Sequence, residues 1–84
     1  MSALDRASRA IHETERRLGD ASAAQSVAEH LLALRAARGA DPRLHLRIAS
    51  ALAAAREATD QAEQARQQAI TELAGYADAA GGGV

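Results

Sequence analysis

Apolar and small residues recur along two stretches of the chain at alternating spacings of three and four. In the first stretch Leu4, Ala7, Ile11, Thr14, Leu18 and Ala21 keep this rhythm, and the stripe then shifts to Ala24, Val27, Leu31 and Leu34. In the second, Ile48, Ala51, Ala55, Ala58, Ala62, Ala65 and Ala69 keep it, ending with Leu73 and Tyr76. On a helix such spacing gathers the apolar positions on one face, so the pattern predicts two amphipathic helices and an all-α fold. The break between them is Gly39-Ala40-Asp41-Pro42. Gly39 suits a position just past a helix end, where the backbone turns left-handed. Asp41 offers a carboxylate to orphan N–H groups, and Pro42 fits a first turn, where its missing N–H costs nothing. Ser2 with Asp5 resembles a capping box. The run Gly81-Gly82-Gly83 ends any helix. The expected organisation is one domain over 1–80, with arms at about 3–38 and 42–78, and a flexible Gly-rich tail over 81–84.

The shift in the first arm falls at Gly19-Asp20, where Gly19 could end a helix and Ser22 with Gln25 could start another. The first arm is thus either one kinked helix or two short ones. A turn centred between Ala40 and Asp41 sets Ile11 against Ile70, Leu18 near Ala62 and Glu63, Val27 against Ala54, and Leu34 near Ile48. Large residues then meet small ones. Arg9 falls beside Glu72, and Arg16 and Arg17 fall near Glu63. The expected architecture is an antiparallel helical hairpin; the competing one is a three-helix bundle broken near Gly19 and Gly39, whose last helix would be twice as long as the others.

Composition strengthens the helical reading. Alanine supplies more than a quarter of the 84 residues, and Phe, Trp, Cys and Lys are absent. Ala, Glu, Leu and Arg together exceed half, as in long helices and coiled coils. Leu, Ile and Val stay under a fifth, but the net charge of −1 is too small for a disordered polyelectrolyte. An isolated hairpin leaves one side of each helix exposed, and Leu32, Leu44, Leu46 and Leu52 have no partner in it. Scaffolds this small usually associate to become stable. The expectation is a homodimer closing a four-helix bundle, or a complex with another helical protein. The association interface is expected on Leu4, Ile11, Leu18, Val27, Leu31 and Leu34 of the first arm, with Ile48, Leu52, Ala62, Ile70, Leu73 and Tyr76 on the second.

Catalytic chemistry finds little to work with. His12, His30 and His45 form no H-x-x-x-H pair, and no Glu-x-x-His occurs, so the helical di-metal pattern is missing. His12 with Glu15 is a two-ligand pair at most. Ser8, Ser22, Ser26 and Ser50 lie in no nucleophile motif. No strand precedes the glycine run and no Lys follows it, unlike a phosphate loop. A non-enzymatic protein without cofactor or metal is expected. No apolar run approaches the roughly 20 residues of a membrane span, and Met1 to Arg6 lacks the pattern of a secretory signal, so a cytoplasmic location is expected. One charge cluster flanks the turn: Arg35, Arg38, Arg43 and Arg47, opposed by Asp41. Such a basic tip could touch nucleic-acid phosphates or an acidic partner. The first two arginines also suit helix C-terminal carbonyls, but the last two begin a helix, where the dipole disfavours them.

Two families resemble parts of this chain. Arg66, Ala69, Ile70, Glu72 and Leu73 match the Arg-x-x-Ala-Ile-x-Glu-Leu helix that precedes the helix-turn-helix in small actinobacterial DNA-binding regulators, and Gly81–Val84 stands where the turn after it would begin. That resemblance covers residues 55–84 and implies the dimerising part of a bacterial transcription regulator, with the DNA-reading helices outside this chain. In length and equal arms the chain is also similar to the WXG family of small exported hairpins, which implies a one-to-one complex with a related protein. Here Gly39-Ala40-Asp41-Pro42 replaces that family's Trp-x-Gly turn, and Tyr76 is followed by Asp78 and Ala80 instead of the Tyr-x-x-x-Asp/Glu export signal.

Overall fold

The structure is a computed structural model that describes residues 2–39 and 41–81. Helix α1 spans Ala3–Arg38 and α2 spans Pro42–Gly81, and they run antiparallel side by side as a hairpin. No strand occurs among the described residues. Apart from Gly81, which closes α2, the expected tail lies outside them, as does Ala40 of the turn.

The helix ends follow from local chemistry. The Asp5 N–H donates to Ser2 Oγ at 3.1 Å and the Ser2 N–H to Asp5 Oδ2 at 3.4 Å, which completes the capping box. At the other end Gly39 has φ 81° and ψ −167°, a combination open essentially to glycine alone, and its N–H caps the Arg35 carbonyl at 2.9 Å. Asp41 Oδ1 accepts the Arg43 N–H at 2.9 Å, and the Asp41 carbonyl receives the His45 N–H, so α2 starts at Pro42 as expected. Gly19 breaks nothing. Helix α1 is continuous through it, which removes the three-helix alternative and the second capping box at Ser22. One interior glycine costs about 1 kcal/mol, less than packing along a long seam returns.

The seam itself is a heptad repeat. Ala7, Ala10, Thr14, Arg17, Ala21, Ala24, Ala28 and Leu31 are the buried or half-buried positions along the inner edge of α1. On α2 they are Leu44, Ile48, Ala51, Ala55, Ala58, Ala62, Ala65, Ala69 and Glu72. Both sets alternate strictly between three and four, the a and d positions of a coiled coil. For α2 this is the expected stripe as far as Ala69; Leu73 and Tyr76 are exposed and Glu72 takes the next inner position. For α1 the expected column of Leu4, Ile11 and Leu18 is exposed, as is Val27, and the column of Ala10, Arg17 and Ala24 lies inside. Methyl-sized side chains let the two backbones approach, whereas leucine on both sides would hold them apart.

Thr14 sets the register. Its Oγ1 lies 2.8 Å from the Ala10 carbonyl and 3.0 Å from the Ala65 carbonyl on the opposite helix. Carried along both heptads, this places Ala28 across from Ala51 and Leu31 across from Ile48, a small slip from the expected pairing of Ile11 with Ile70. Larger residues pack only near the turn, where Leu31, Leu44 and Ile48 form a cluster flanked by Leu34 and Ala51. Leu44, expected to lack an intramolecular partner, is thus a core residue.

Candidate association face

The two edges of the seam differ. With Ala7, Thr14, Ala21 and Ala28 as position a of α1, the g positions line one edge and the e positions the other. The g edge is partly covered. Glu13, Leu34 and Gln61 there are half-buried, while Arg6, Asp20 and Val27 are exposed. Arg17 reaches across to donate to Gln61 Oε1 at 2.6 Å and to Glu13 Oε1 at 2.8 Å, and Arg6 pairs with Glu72 at 3.5 Å. These contacts revise the expected charge pairs: Arg6 rather than Arg9 meets Glu72, and Arg16 and Arg17 bind Glu13 rather than Glu63.

The e edge is open. Leu4, Ile11, Leu18, Gln25 and Leu32 follow at intervals of seven along α1, and all are exposed. Leu52, Thr59, Arg66 and Leu73 form the matching column on α2 and are exposed as well. The hydrogen bond from Gln25 Nε2 to Thr59 Oγ1, 3.3 Å, joins the two columns near mid-length, and Thr59 passes its own proton to the Ala55 carbonyl at 2.8 Å. Leu18, Ala21, Gln25, Thr59 and Ala62 share one hollow along this edge, and Leu52 and Ala55 share the next with Gln25 and Thr59. Ile70, at position b, borders the same side. The face is therefore apolar toward both ends and polar in its middle. Leu4 and Leu18 are each 53% exposed; a lone exposed leucine is ordinary, but these recur in one column with Ile11 and Leu32.

The expected interface residues divide accordingly. Leu31, Ile48 and Ala62 are buried between the helices and Leu34 half-buried, so they hold the hairpin together. Leu4, Ile11, Leu18, Leu52, Ile70 and Leu73 share the open edge. Val27 lies exposed at the opposite edge, and Tyr76 is exposed at the open end. Leu32, expected only as a residue without a partner in the hairpin, belongs to the face, and so do Gln25 and Thr59, which were not expected in it; the seven-residue interval from Leu4 through Leu18 to Leu32 is the signal that marks the column. Leu46, 70% exposed, sits beside the turn with Arg35, Pro42 and His45.

The basic tip is split by the fold. Arg38, Arg43 and Arg47 line one hollow with Asp41, whereas Arg35 opens on the other side with His45. Among the described residues no carboxylate lies in ion-pair range of these four arginines. Apart from Arg6 with Glu72, the ion pairs among the described residues lie within a helix. Hydrogen bonds from Arg16, then Arg17, hold the Glu13 carboxyl below its ordinary range, and those from Arg66, then Gln67, do the same for Glu63.

His12 stands 3.7 Å from Glu15, and among the described residues no group of three or more His, Cys, Asp or Glu is placed to hold a metal. Among the same residues no helix is long and apolar enough to cross a membrane. Comparison with protein-family models, curated proteins and solved structures gave no significant match.

Proposed function

We propose that the chain is a non-enzymatic association module that docks its open edge onto a second copy and so closes a four-helix bundle. The observation that carries this reading is the e edge of the seam: Leu4, Ile11, Leu18 and Leu32 at heptad spacing, with Leu52 and Leu73 on α2, all exposed, where the g edge presents Val27 as its one exposed large apolar side chain among the described residues. A second hairpin supplies the geometry this column fits, because its own column presents the same spacing. Area supports it too. The rod measures 65 × 18 × 13 Å, so its broad side exceeds the roughly 800 Å² per partner of a standard interface. The setting we favour is cytoplasmic, as the dimerising part of a bacterial DNA-binding regulator whose reading helices lie outside this chain. The hairpin's two long arms also fit a one-to-one complex with a related helical protein, as the WXG resemblance implies.

Sedimentation equilibrium tests the proposal. The wild-type chain is expected to be dimeric at micromolar concentration, and Ile11→Glu with Leu18→Glu should weaken association at least ~10-fold while leaving helicity intact, since both side chains lie outside the hairpin seam. A wild-type chain that stays monomeric at about 100 μM, where even weak dimers form, would refute it. Dimers untouched by the double substitution would move the interface elsewhere.

A further inference from the structure

The open edge says more than that a second copy docks; it says which way round. Resting on the self-association reading above, we infer that the two hairpins dock antiparallel, with the turn of one beside the open end of the other and a two-fold axis crossing near Leu18 and Thr59. The first argument is charge. The turn end carries Arg35, Arg38, Arg43 and Arg47 against Asp41, and among the described residues no carboxylate lies in ion-pair range of the four. The open end lacks this basic excess. Asp5, Glu13 and Glu15 on α1 and Glu63, Glu72 and Asp78 on α2 stand against Arg6, Arg9, Arg16, Arg17 and Arg66, a balance one charge to the acid side. These two ends stand at opposite extremes of a 65 Å rod, many times the roughly 8 Å Debye length at physiological salt, so within one hairpin they do not neutralise each other. Antiparallel docking sets each basic turn beside the other copy's open end, which carries no basic excess. Parallel docking would instead set eight turn arginines side by side.

The second argument is the spacing of the face. Leu4, Ile11, Ile70 and Leu73 are crowded toward the open end, Leu32 and Leu52 lie toward the turn, and the Gln25–Thr59 hydrogen bond sits between the two groups. Rotation about an axis near Leu18 lays the open-end group of one copy over the turn-end group of the other, so that Leu73 meets the level of Leu32 and Ile11 that of Leu52. The apolar groups of this edge then cover one another, so the spacing of the face accommodates the antiparallel arrangement that the charges favour.

The chain has no cysteine, so single spin labels can be placed cleanly. Ala33 lies on the outer face of α1 near the turn, and Ser8 lies near the open end, both exposed. At 1.5 Å per residue, labels on two copies of Ala33→Cys should be about 40–45 Å apart in an antiparallel dimer and below about 30 Å in a parallel one. A mixture of Ala33→Cys with Ser8→Cys, each labelled, should add a short distance absent from either variant alone. Short distances in the single-variant samples, or none in the mixture, overturn the antiparallel arrangement while leaving self-association standing. If sedimentation shows no dimer and no intermolecular distance appears, both readings fall together.

Discussion

A single methyl group is what the interior of this hairpin is made of. In the register that Thr14 sets, Ala10, Ala21 and Ala28 fall opposite Ala69, Ala58 and Ala51, and at these levels both backbones depend on nothing larger standing between them. Ala28 is 4% exposed and lies across from Ala51. Ala28→Leu is therefore expected to cost about 1–3 kcal/mol, because the helices must separate or the side chain must leave its rotamer. Urea titration followed by circular dichroism checks this, with Ala33→Leu on the outer face staying within about 0.5 kcal/mol of wild type. Thr14 has one proton and two carbonyls in reach, those of Ala10 and Ala65. Thr14→Val keeps the shape and removes the donor, for an expected loss of about 0.5–1.5 kcal/mol. Glu13 and Glu63 add a pH dependence. Their folded carboxyls ionise below the ordinary range because arginine hydrogen bonds favour the anion. The stability they contribute is present above the unfolded pKa and is lost as the pH falls through the lowered folded value. Helicity should accordingly decline on acidification below the ordinary glutamate range, and the decline should be shallower in a Glu13→Gln, Glu63→Gln variant.

Glycine has opposite consequences at two places on the helices. Gly19 is mid-helix with nothing within 4 Å of the position a Cβ would take, so Gly19→Ala should stabilise α1 by about 0.5–1 kcal/mol and raise the melting temperature. Gly39 also has open space around it, but φ is 81°, so Gly39→Ala should cost about 1–3 kcal/mol through backbone strain alone. Either thermal shift in the contrary direction would contradict the helix assignment at that site. These two glycines also show where the sequence was informative. The turn was legible because Gly39, Asp41 and Pro42 each perform a local task that the residue type announces. The α2 stripe was legible because its apolar residues are also its packing residues. Helix α1 was not, and Arg17 is the reason. A charged residue at a seam position hides Ala10 in the N-terminal half, although Ala24 of the same column belongs to the expected stripe, while Leu4, Ile11 and Leu18 one column over look like the better core. Hydrophobicity ranks leucine above alanine, but close approach to an alanine face selects the smaller residue. The same misreading concealed the open edge, since a column assigned to the inside cannot be seen as surface.

At the scale of the whole molecule, the proportions are those of an extended rod. The radius of gyration is 18.8 Å, against about 12 Å for a compact chain of this length. The accessible surface is 6093 Å², where a compact monomer of this mass would show about 4700 Å². Surface of that excess, lined by heptad-spaced leucine, is surface a second hairpin can cover. The thermal midpoint should then climb with protein concentration, as it does whenever association stabilises the folded form. Salt distinguishes the two docking directions without any substitution. With turns beside open ends, the long-range forces between copies attract, so added sodium chloride screens an attraction and loosens the dimer. With turns together, the same salt screens a repulsion and tightens it. The Debye length shrinks from about 30 Å at 10 mM to about 10 Å at 100 mM, so the dissociation constant should rise steeply over that interval and flatten beyond it, where apolar contact is what remains. Neutralising the turn with Arg43→Gln and Arg47→Gln should weaken the dimer at low salt and erase most of this slope, whereas a parallel pair would be strengthened by the same change.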